Sequence, residues 1–210
     1  YRILCRTNYR ASKLHRSGIM IISLYTSMLP VIIGGVFNML FVKIKALSFL
    51  KVPVDGGKSL NGKRIFGNSK SLLGFIGMML GTAIAAVIWG VFLKYMELEH
   101  YNLIYKNYPN TVCFNLLSGA LFGFAYMIFE LPNSFLKRRF DIDAGSRGRF
   151  PVNVFTFVYD QIDSMIGVML VLAILARLSF MQYILAVILG GITHVLVNMI
   201  LILFKVRKYL

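Results

Sequence analysis

The stretch GFIGMMLGTAIAAVIWGVFL, residues 74–93, is twenty residues long and carries no charged side chain. A helix of this length spans about 30 Å, which is the thickness of the hydrocarbon core of a membrane. Five runs of this character occur along the chain, and they lie at about residues 18–42, 71–96, 111–133, 152–177 and 180–204. The sequence therefore predicts an all-α integral membrane protein, built as a bundle of about five transmembrane helices.

The composition agrees with this prediction and excludes other classes of protein. The 210 residues are 58% hydrophobic and only 15% charged, which is typical of polytopic membrane proteins rather than soluble domains. A net charge of +15 would suggest nucleic-acid binding in a soluble protein. Here the lysines and arginines lie in short segments between apolar runs, where membrane topology accounts for them. We therefore expect one membrane domain, residues 1–210, and no nucleic-acid partner.

Two basic loops set the predicted orientation. Residues 43–70 contain seven lysines and arginines, and residues 137–149 contain five. Such residues accumulate on the cytoplasmic side, so both loops are predicted to be cytoplasmic. The C-terminal tail, with Lys205, Arg207 and Lys208, falls on the same side, whereas the loop at 97–110, with Glu97 and Glu99, and the turn near Arg177 fall outside. We expect a protein of the cytoplasmic membrane with its polar site facing the cytoplasm.

The N-terminal segment, residues 1–17, conflicts with the simplest form of this orientation. Five crossings and a cytoplasmic C-terminus put the N-terminus outside, yet the segment carries cations at helical spacing, namely Arg2, Arg6, Arg10, Lys13 and Arg16. Either it is an interfacial helix against anionic lipid, or the first apolar run, interrupted by Pro30 and Gly34-Gly35, does not cross simply. We favour the loop pattern, because the two loops agree with each other.

Small residues at helical spacing predict close contacts between helices. The glycines concerned are Gly74, Gly77, Gly81, Gly119 and Gly123. Small residues spaced in this way let membrane helices approach closely, so we expect a compact bundle rather than a ligand site at these positions.

Two aspartates lie inside the fourth apolar run, in VYDQIDSMIG, residues 158–167. Each costs about 2.5 to 3.5 kcal/mol near the middle of a membrane helix, so something must offset the burial of Asp160 and Asp163. They lie about 12 to 17 Å along a helix that begins after Pro151, and their spacing of three puts them on one face. Gly167 is predicted to keep that face open one turn deeper. From spacing alone, the pair suits a divalent cation, a shared proton or a salt bridge to a neighbouring helix.

The basic loops carry further polar patterns. DGGKSLNGKRIFGNSK, residues 55–70, mixes glycines with cations, which suits phosphate binding but also fits an ordinary cytoplasmic loop, and it does not match a P-loop. ELPNSFLKRRFDIDAGSRGRFP, residues 130–151, brings Glu130 and three consecutive cations close to Asp141 and Asp143. Cations beside carboxylates suit a polyphosphate held with a metal. His194, with Asn198 four residues later, predicts an interhelical hydrogen bond rather than a catalytic base.

In this order the motifs resemble the CDP-archaeol synthase family, small relatives of the phosphatidate cytidylyltransferases, which are CDP-diacylglycerol synthases. The resemblance rests on LP followed by GG in the first run, on DGGKSLNGKRIFGNSK, on PNSFLKRR and on DQID, and it extends from about Leu29 to Gly167. It implies a CTP-dependent cytidylyltransferase, in which an archaetidate-like or phosphatidate-like lipid phosphate attacks the α-phosphorus of CTP and pyrophosphate leaves. Such a reaction needs positioning and charge neutralisation more than a covalent nucleophile.

The resemblance also implies roles for individual residues. Asp160 and Asp163 would hold Mg²⁺ and would form the catalytic centre together with Lys137. Contacts with the nucleotide or lipid phosphates are implied for a set of residues in the two loops, namely Asp55, Lys63, Arg64, Lys70, Ser134, Arg138, Arg139 and Asp143. The lipid chains would stay in the bilayer through a lateral opening between helices. The sequence leaves the oligomeric state open, with a homodimer as one option.

The chain departs from the family pattern at two places. Gln161 stands where the larger enzymes have arginine, and residues 67–74 read GNSKSLLG where the family pattern is GD(G/H)KTWRG. Two other functions fit the sequence less well. A CDP-alcohol phosphotransferase would need the pattern DGxxAR followed by GxxxDxxxD, which is absent. A small ion or lipid transporter using the aspartate pair would be expected to carry an inverted repeat and polar residues on both sides, and the sequence has neither.

Overall fold

The computed structural model describes residues 2–143 and 152–205, and for residues 2–17, 46 and 152–154 it describes the backbone alone. Within these residues the chain forms five long helices, α1 (Arg2–Phe41), α2 (Leu72–Tyr95), α3 (Val112–Arg139), α4 (Val152–Ala176) and α5 (Phe180–Leu203). Each is long and apolar enough to cross a membrane, α1 through its segment Gly18–Phe41. The predicted all-α bundle of five transmembrane helices is confirmed.

Shorter elements complete the connections. The segment between α1 and α2 contains a 3-10 helix, Lys45–Leu50, and a two-stranded antiparallel hairpin of β1 (Ser59–Leu60) and β2 (Lys63–Arg64). Between α2 and α3 lie two 3-10 turns, Glu99–Tyr101 and Ile104–Lys106. The described part of the connection between α3 and α4, residues 140–143, continues directly from the end of α3.

Side-chain caps explain where three of the helices begin. Ser71 accepts a hydrogen bond from the backbone N–H of Gly74 at the start of α2, and Thr111 accepts one from Phe114 at the start of α3. Ser179 and Gln182 form a reciprocal capping box at the start of α5. These caps satisfy backbone donors that a helix leaves unpaired at its first turn. They lie at the ends of the apolar runs, so the predicted starts of these helices are correct to within a residue.

The first apolar run forms one continuous helix. α1 continues through Pro30 without interruption, and the basic segment before Gly18 is an extension of the same helix. Neighbouring helices can accommodate a proline within a membrane helix, because the freed backbone groups find other partners. The predicted interruption of the first run at Pro30 and Gly34-Gly35 is therefore wrong. The interfacial position of residues 1–17 stays a prediction.

α3 is longer than the sequence indicated. The third apolar run was predicted to end near residue 133, with Lys137 in a loop, but the helix continues past Pro132 to Arg139. The proline removes one hydrogen bond to the preceding turn but leaves the rest of the helical backbone in place. As a result Asn133 and Lys137 lie four residues apart on one helical face.

The helices pack in chain order, each against the next, and their common core is apolar. Met78 and Met169 are fully buried there. Large apolar side chains such as Ile88, Leu117 and Ile174 are more than 60% exposed, as expected for surfaces that face lipid.

Four of the five glycines predicted to permit close helix contacts do so. A Cβ atom at Gly77 or Gly81 would collide with side chains of α1, and a Cβ at Gly119 or Gly123 would lie 2.6 or 2.7 Å from backbone carbonyl oxygens of α2. A Cβ at Gly74 would make only ordinary contacts, the nearest at 3.5 Å. Gly167 does not keep a face open, because it packs against Phe129 of α3. Shape complementarity between helices therefore accounts for most of these glycines.

The two ends of the bundle differ in character. Arg139 at the end of α3 donates hydrogen bonds to carbonyl oxygens of the β1–β2 hairpin, so both basic connections lie at one end. At the other end, Asn107 donates to the carbonyl of Leu175 near the end of α4, and Leu103 donates to Ser27 of α1. The hydrophilic, basic end is therefore opposite the N-terminal end of the α1 span. Four residues counted with the basic side, Arg147, Arg149, Arg207 and Lys208, lie outside the described residues.

Candidate active site

The two intramembrane aspartates converge on one amide. Asn133 of α3 donates from its Nδ2 atom to Asp160 Oδ1 at 2.6 Å and to Asp163 Oδ2, also at 2.6 Å. The two carboxylate oxygens can therefore be no further apart than twice that distance. Asp163 is 5% exposed, and its second oxygen accepts a hydrogen bond from the backbone of Ser164 at 2.6 Å. The face of α4 that carries both acids is thus directed at α3.

Lys137 joins this cluster from the next turn of α3. Its Nζ atom lies 2.5 Å from both carboxylate oxygens of Asp160. The side chains of the two residues are 21% and 35% exposed, so the pair lies at the edge of the bundle interior. The extension of α3 beyond Pro132 makes this contact possible, because Asn133 and Lys137 then point at the same face of α4. We call Asn133, Lys137, Asp160 and Asp163 the carboxylate cluster.

The carboxylate cluster offers the donors that a hard divalent cation requires. Magnesium prefers oxygen ligands, and it commonly uses one or two carboxylates together with substrate phosphates. The Oδ1 atom of Asn133 is buried and has no hydrogen-bond partner among the described residues. Rotation of this amide would turn its oxygen toward both aspartates, in place of the nitrogen. Elsewhere in the described chain, as here, no group of three or more His, Cys, Asp or Glu side chains is close enough to hold a metal by itself.

Lys70 and Glu130 form an ion pair next to the carboxylate cluster. Lys70 precedes α2, Glu130 lies one helical turn before Asn133, and their side chains are 18% and 17% exposed. Glu130 and Asn133 lie on the same face of α3, so the ion pair is one helical turn from the residue that donates to both aspartates. The pair therefore links the loop before α2 to the buried acids.

Asp55 organises the loop between α1 and α2. One of its oxygens accepts hydrogen bonds from Arg64 at 2.6 Å and from the backbone of Gly57 at 3.0 Å, and the other accepts from the backbone of Phe66 and Gly67. Burial alone would raise the pKa of Asp55, but the Arg64 guanidinium and the three backbone donors outweigh it, so the pKa lies well below its usual value. The side chain has no exposed surface. Asp55 therefore holds the loop in shape from within.

Two arginines of α3 connect this loop to the helix. Arg138 donates from Nε to the carbonyl of Phe66 at 3.2 Å, and Arg139 donates to the carbonyls of Leu60, Lys63 and Arg64 at 2.7 to 2.9 Å. Gly67 allows the close approach of Arg138, because its φ is 87° and a Cβ atom there would lie 2.6 Å from Arg138 Nε. Loop and helix are thus locked together.

A polar pocket of about 480 Å³ lies at this junction. Its polar lining consists of three cations, two acids and one amide, namely Lys63, Arg64, Arg138, Asp141, Asp143 and Asn68. Lys63 and Asp141 form an exposed ion pair across it at 2.7 Å. Four of the eight residues predicted to contact phosphates, Lys63, Arg64, Arg138 and Asp143, therefore meet in one place. Ser134 is buried on α3 beside Asn133 and does not line the pocket.

A second cavity, of about 330 Å³, lies inside the membrane-spanning part of the bundle. It is lined mainly by methionine, valine, isoleucine and leucine side chains, and Lys70 and Glu130 form its polar end. We call it the intramembrane cavity. The Lys70–Glu130 pair thus lines the intramembrane cavity and also lies next to the carboxylate cluster.

The comparisons with known proteins identify the family. The profile of the family described as CarS-like, CDP-archaeol synthase, matches residues 17–209. The chain belongs to the CDP-archaeol synthase family. A CDP-archaeol synthase of Archaeoglobus fulgidus is 38% identical over 96 residues, which are 45% of this chain and 50% of that protein. Another, of Pyrobaculum islandicum, is 29% identical over 161 residues, which are 76% of this chain and 82% of that protein.

Coverage of the relatives is uneven. In the alignments with the Archaeoglobus and Picrophilus torridus synthases, the chain spans only about half the length of the relative. A solved structure, described as an intramembrane enzyme for archaeal membrane lipids biosynthesis, superimposes with a TM-score of 0.56. It is 20% identical, and the match covers 83% of this chain and 92% of that one. This likeness establishes a shared fold. None of these matches supports the transporter alternative.

The family pattern has a departure at Gln161, which has a structural explanation. Gln161 lies between the two aspartates in sequence but faces α5, where Asn198 donates to its side chain at 3.5 Å. Its backbone carbonyl accepts from His194 Nδ1 at 3.3 Å, which leaves Nε2 to accept from the hydroxyl of Tyr126. The predicted interhelical hydrogen bond of His194 is confirmed. The two aspartates of α4 therefore contact α3, and Gln161 of the same helix contacts α5.

The sequence patterns of this member of the CDP-archaeol synthase family did not predict a role for Asn133. It lies within the PNSFLKRR motif, four residues before Lys137, so helical spacing could have linked it to the lysine. That argument requires α3 to continue past Pro132, and the apolar run ends near that point. Glu130 of the same helix pairs with Lys70.

Proposed function

We propose that this protein is a CTP-dependent cytidylyltransferase, which converts a phosphorylated glycerolipid to its CDP-activated form. An oxygen of the lipid phosphate attacks the α-phosphorus of CTP, and the bond from this phosphorus to the oxygen bridging to the β-phosphate breaks. Pyrophosphate leaves with the electron pair of that bond. The single observation that carries the proposal is the convergence of Asp160 and Asp163 on Asn133, within the membrane and beside Lys137.

The carboxylate cluster fits Mg²⁺ as the cofactor. Asp160, Asp163 and, after rotation of its amide, Asn133 would hold the ion. Bound there, Mg²⁺ would neutralise charge on the phosphate oxygens and orient them. Its presence would also offset the burial of two acids in the membrane. Lys137 would move from Asp160 to a substrate phosphate, because both are anionic acceptors for its ammonium group.

The polar pocket suits the nucleotide. Lys63, Arg64 and Arg138 supply positive charge there beside Asp143. Ser134, which the family pattern also points to, lies buried next to Asn133 instead. Arg139 and Asp55 act indirectly in this proposal, because their hydrogen bonds hold the loop and helix that form the pocket. Lys70 would serve the lipid phosphate, since it lies where the polar and apolar spaces meet.

The lipid phosphate remains in the membrane during the reaction. An archaetidate-like or phosphatidate-like molecule would place its phosphate beside Lys70 and its chains in the intramembrane cavity. The excess of cations at one end of the bundle favours a cytoplasmic location for that end, so the site would open toward the cytoplasm from the cell membrane. CTP would then reach the pocket directly from solution.

The test is a cytidylyl-transfer assay with purified protein, CTP, Mg²⁺ and a panel of phosphorylated lipids, with the product identified by mass. The native protein is expected to release pyrophosphate and to form one CDP-lipid preferentially. Asp160→Asn and Asp163→Asn should each abolish the reaction, because an amide is a weaker ligand for a divalent cation than a carboxylate. Glu97→Gln, which changes an exposed acid at the opposite end of the bundle, is the matched control and should retain activity. Full activity in both aspartate variants would contradict the metal assignment.

A further inference from the structure

Three polar side chains lie among the mainly apolar walls of the intramembrane cavity. Asn38 of α1, Tyr126 of α3 and His194 of α5 all contribute to its lining. We call these three residues the polar belt. Polar groups within membrane helices are costly, and they commonly mark a binding site. The polar belt is therefore a candidate site for part of the molecule that occupies the cavity.

Contacts between helices place the polar belt deeper in the bundle than the polar end of the cavity. Tyr126 lies four residues, or about 6 Å, before Glu130 on α3, and therefore one turn deeper. Its hydroxyl lies 3.3 Å from Nε2 of His194, so His194 is at the same level on α5. A Cβ atom at Gly77 would lie 2.5 Å from Oδ1 of Asn38, so Asn38 is level with the second turn of α2. The polar belt thus surrounds the cavity about one turn below its polar end.

Two members of the polar belt have the capacity to bind a further partner. The Oδ1 atom of Asn38 is buried and has no hydrogen-bond partner among the described residues. Rotation of this amide would present an N–H donor in the same place. The hydrogen bond from Tyr126 to His194 is 3.3 Å long, whereas a hydroxyl group usually lies about 2.5 to 3.0 Å from an oxygen acceptor. An oxygen held closer to Tyr126 would therefore compete well for this proton.

The depth of the polar belt identifies the group that it would bind. A glycerolipid phosphate has two linkage oxygens, which join its chains to the glycerol and lie four and five bonds from the phosphorus. Bonds of about 1.5 Å put these oxygens about 5 to 6 Å from the phosphorus in an extended chain. A phosphate beside Lys70 would therefore place them level with the polar belt. Linkage oxygens accept hydrogen bonds, which matches a hydroxyl and an amide as donors.

We propose that Tyr126 and Asn38 bind the linkage oxygens of the lipid phosphate. This inference rests on the proposed function, because the phosphate of that substrate sets the depth at which the oxygens lie. Tyr126 donates to one linkage oxygen in place of His194, and the amide of Asn38 donates to the other. A site built to hydrogen-bond a substrate discriminates against analogues that lack the bonding group. The polar belt thus selects glycerolipids over other molecules with an anionic head and hydrocarbon chains.

The first experiment compares two substrates that differ only at the linkage. One is a dialkylglycerol phosphate, and the other is its analogue in which both linkage oxygens are replaced by methylene groups. The native protein should use the analogue with a kcat/KM at least about tenfold lower, mainly through KM, because two hydrogen bonds are lost. Tyr126→Phe and Asn38→Leu should each lower kcat/KM for the oxygen-containing lipid by about threefold or more. With the analogue, both variants should stay within about twofold of the native protein, since no linkage oxygen is present.

Tyr183→Phe is the matched control. Tyr183 also donates its hydroxyl over 3.3 Å within the membrane, to the backbone carbonyl of Ile166, but among the described residues the lining of the cavity does not include it. This variant should affect both lipids alike. If Tyr126→Phe and Asn38→Leu also changed both lipids alike, the two residues would serve only the packing of helices, and the proposal would be overturned. An equal kcat/KM for the two lipids in the native protein would overturn it as well.

A second measurement does not require turnover. Binding of the two lipids to the purified protein in detergent, without CTP, is measured by displacement of a fluorescent lipid phosphate. The native protein should bind the dialkylglycerol phosphate at least about tenfold more tightly than the analogue, and Tyr126→Phe should reduce this ratio. If the ratio is found but no CDP-lipid is made from any lipid in the panel, the proposed function fails while the binding site stands. If CDP-lipid is made but the native protein binds both lipids equally, the site is wrong while the function stands.

Discussion

Asn133 offers the sharpest test of how the bundle positions its acids. Replacement by leucine keeps the branched shape and the number of heavy atoms of the side chain but removes both hydrogen bonds of 2.6 Å to Asp160 and Asp163. A hydrogen bond to a charged group contributes about 1.5 to 3 kcal/mol, so Asn133→Leu should lower the free energy of unfolding by about 3 kcal/mol or more. Asp163 is the more affected acid, because it is buried and Lys137 pairs with Asp160 instead.

The effect on the proposed reaction should be as large. Groups that orient metal ligands typically contribute about 10-fold to 100-fold in metal affinity or activity. We therefore expect Asn133→Leu to raise the Mg²⁺ concentration at half-maximal rate, and to lower kcat, by a factor in that range. The assay is pyrophosphate release at increasing Mg²⁺, combined with unfolding in detergent followed by circular dichroism.

Asn115 provides the matched control. It is also a buried amide of α3, 3% exposed like Asn133, but it lies about 27 Å away along the helix, where it contacts Tyr105 and Asn110. Asn115→Leu should destabilise the protein and leave the Mg²⁺ dependence as it is. If Asn133→Leu kept the native kcat and Mg²⁺ dependence, the amide would not orient the acids and the reasoning would be refuted. If the two variants changed the Mg²⁺ dependence alike, the folding of α3 would be the cause.

Two further predictions concern packing and pH. Gly34→Ala should destabilise the bundle by about 1 to 3 kcal/mol, because its Cβ would lie 2.7 Å from the backbone nitrogen of Thr82. Gly35→Ala should be tolerated, because a Cβ there meets nothing closer than 4.0 Å. Unfolding of both variants in detergent tests this difference. The lowered pKa of Asp55 means that its carboxylate stabilises the loop above pH of about 4 and that this contribution is lost as the pH falls further. Limited proteolysis of residues 55–70 in the native protein should therefore become faster below that pH. The Asp55→Asn variant should be cleaved rapidly even at pH 7. Equal cleavage of native and variant protein at pH 7 would count against the role of Asp55.

Part of the candidate site could be predicted from local spacing. Asp160 and Asp163 are three residues apart in a helix, and this alone puts them on one face. The family pattern pointed to Lys137, and the structure brings it within 2.5 Å of Asp160. Asn133 could not be predicted with the same ease, because its contribution depends on whether α3 continues beyond Pro132. A proline neither requires nor forbids that continuation, and the contacts with α4 decide it.

The roles of the individual lysines and arginines could not be predicted from the sequence either. Composition indicates that Lys63, Arg64, Arg138 and Arg139 belong to the basic end, but it does not separate residues that line a pocket from residues that hold it together. In the folded chain, Arg139 donates hydrogen bonds to backbone carbonyls of the hairpin. Lys63, Arg64 and Arg138 instead line the polar pocket. This division follows from which carbonyl groups come within reach of each guanidinium or ammonium group.

The sequence by itself determined the number of membrane helices, their approximate ends and the relative side of each connection. These properties follow from local physics, since each apolar run must satisfy its own backbone in lipid and charged residues stay out of the membrane. Only the tertiary structure decided that Asn133 joins the two aspartates and that Lys70 pairs with Glu130. Such contacts join residues far apart in the chain, so they depend on the packing of whole helices rather than on the pattern within any one of them.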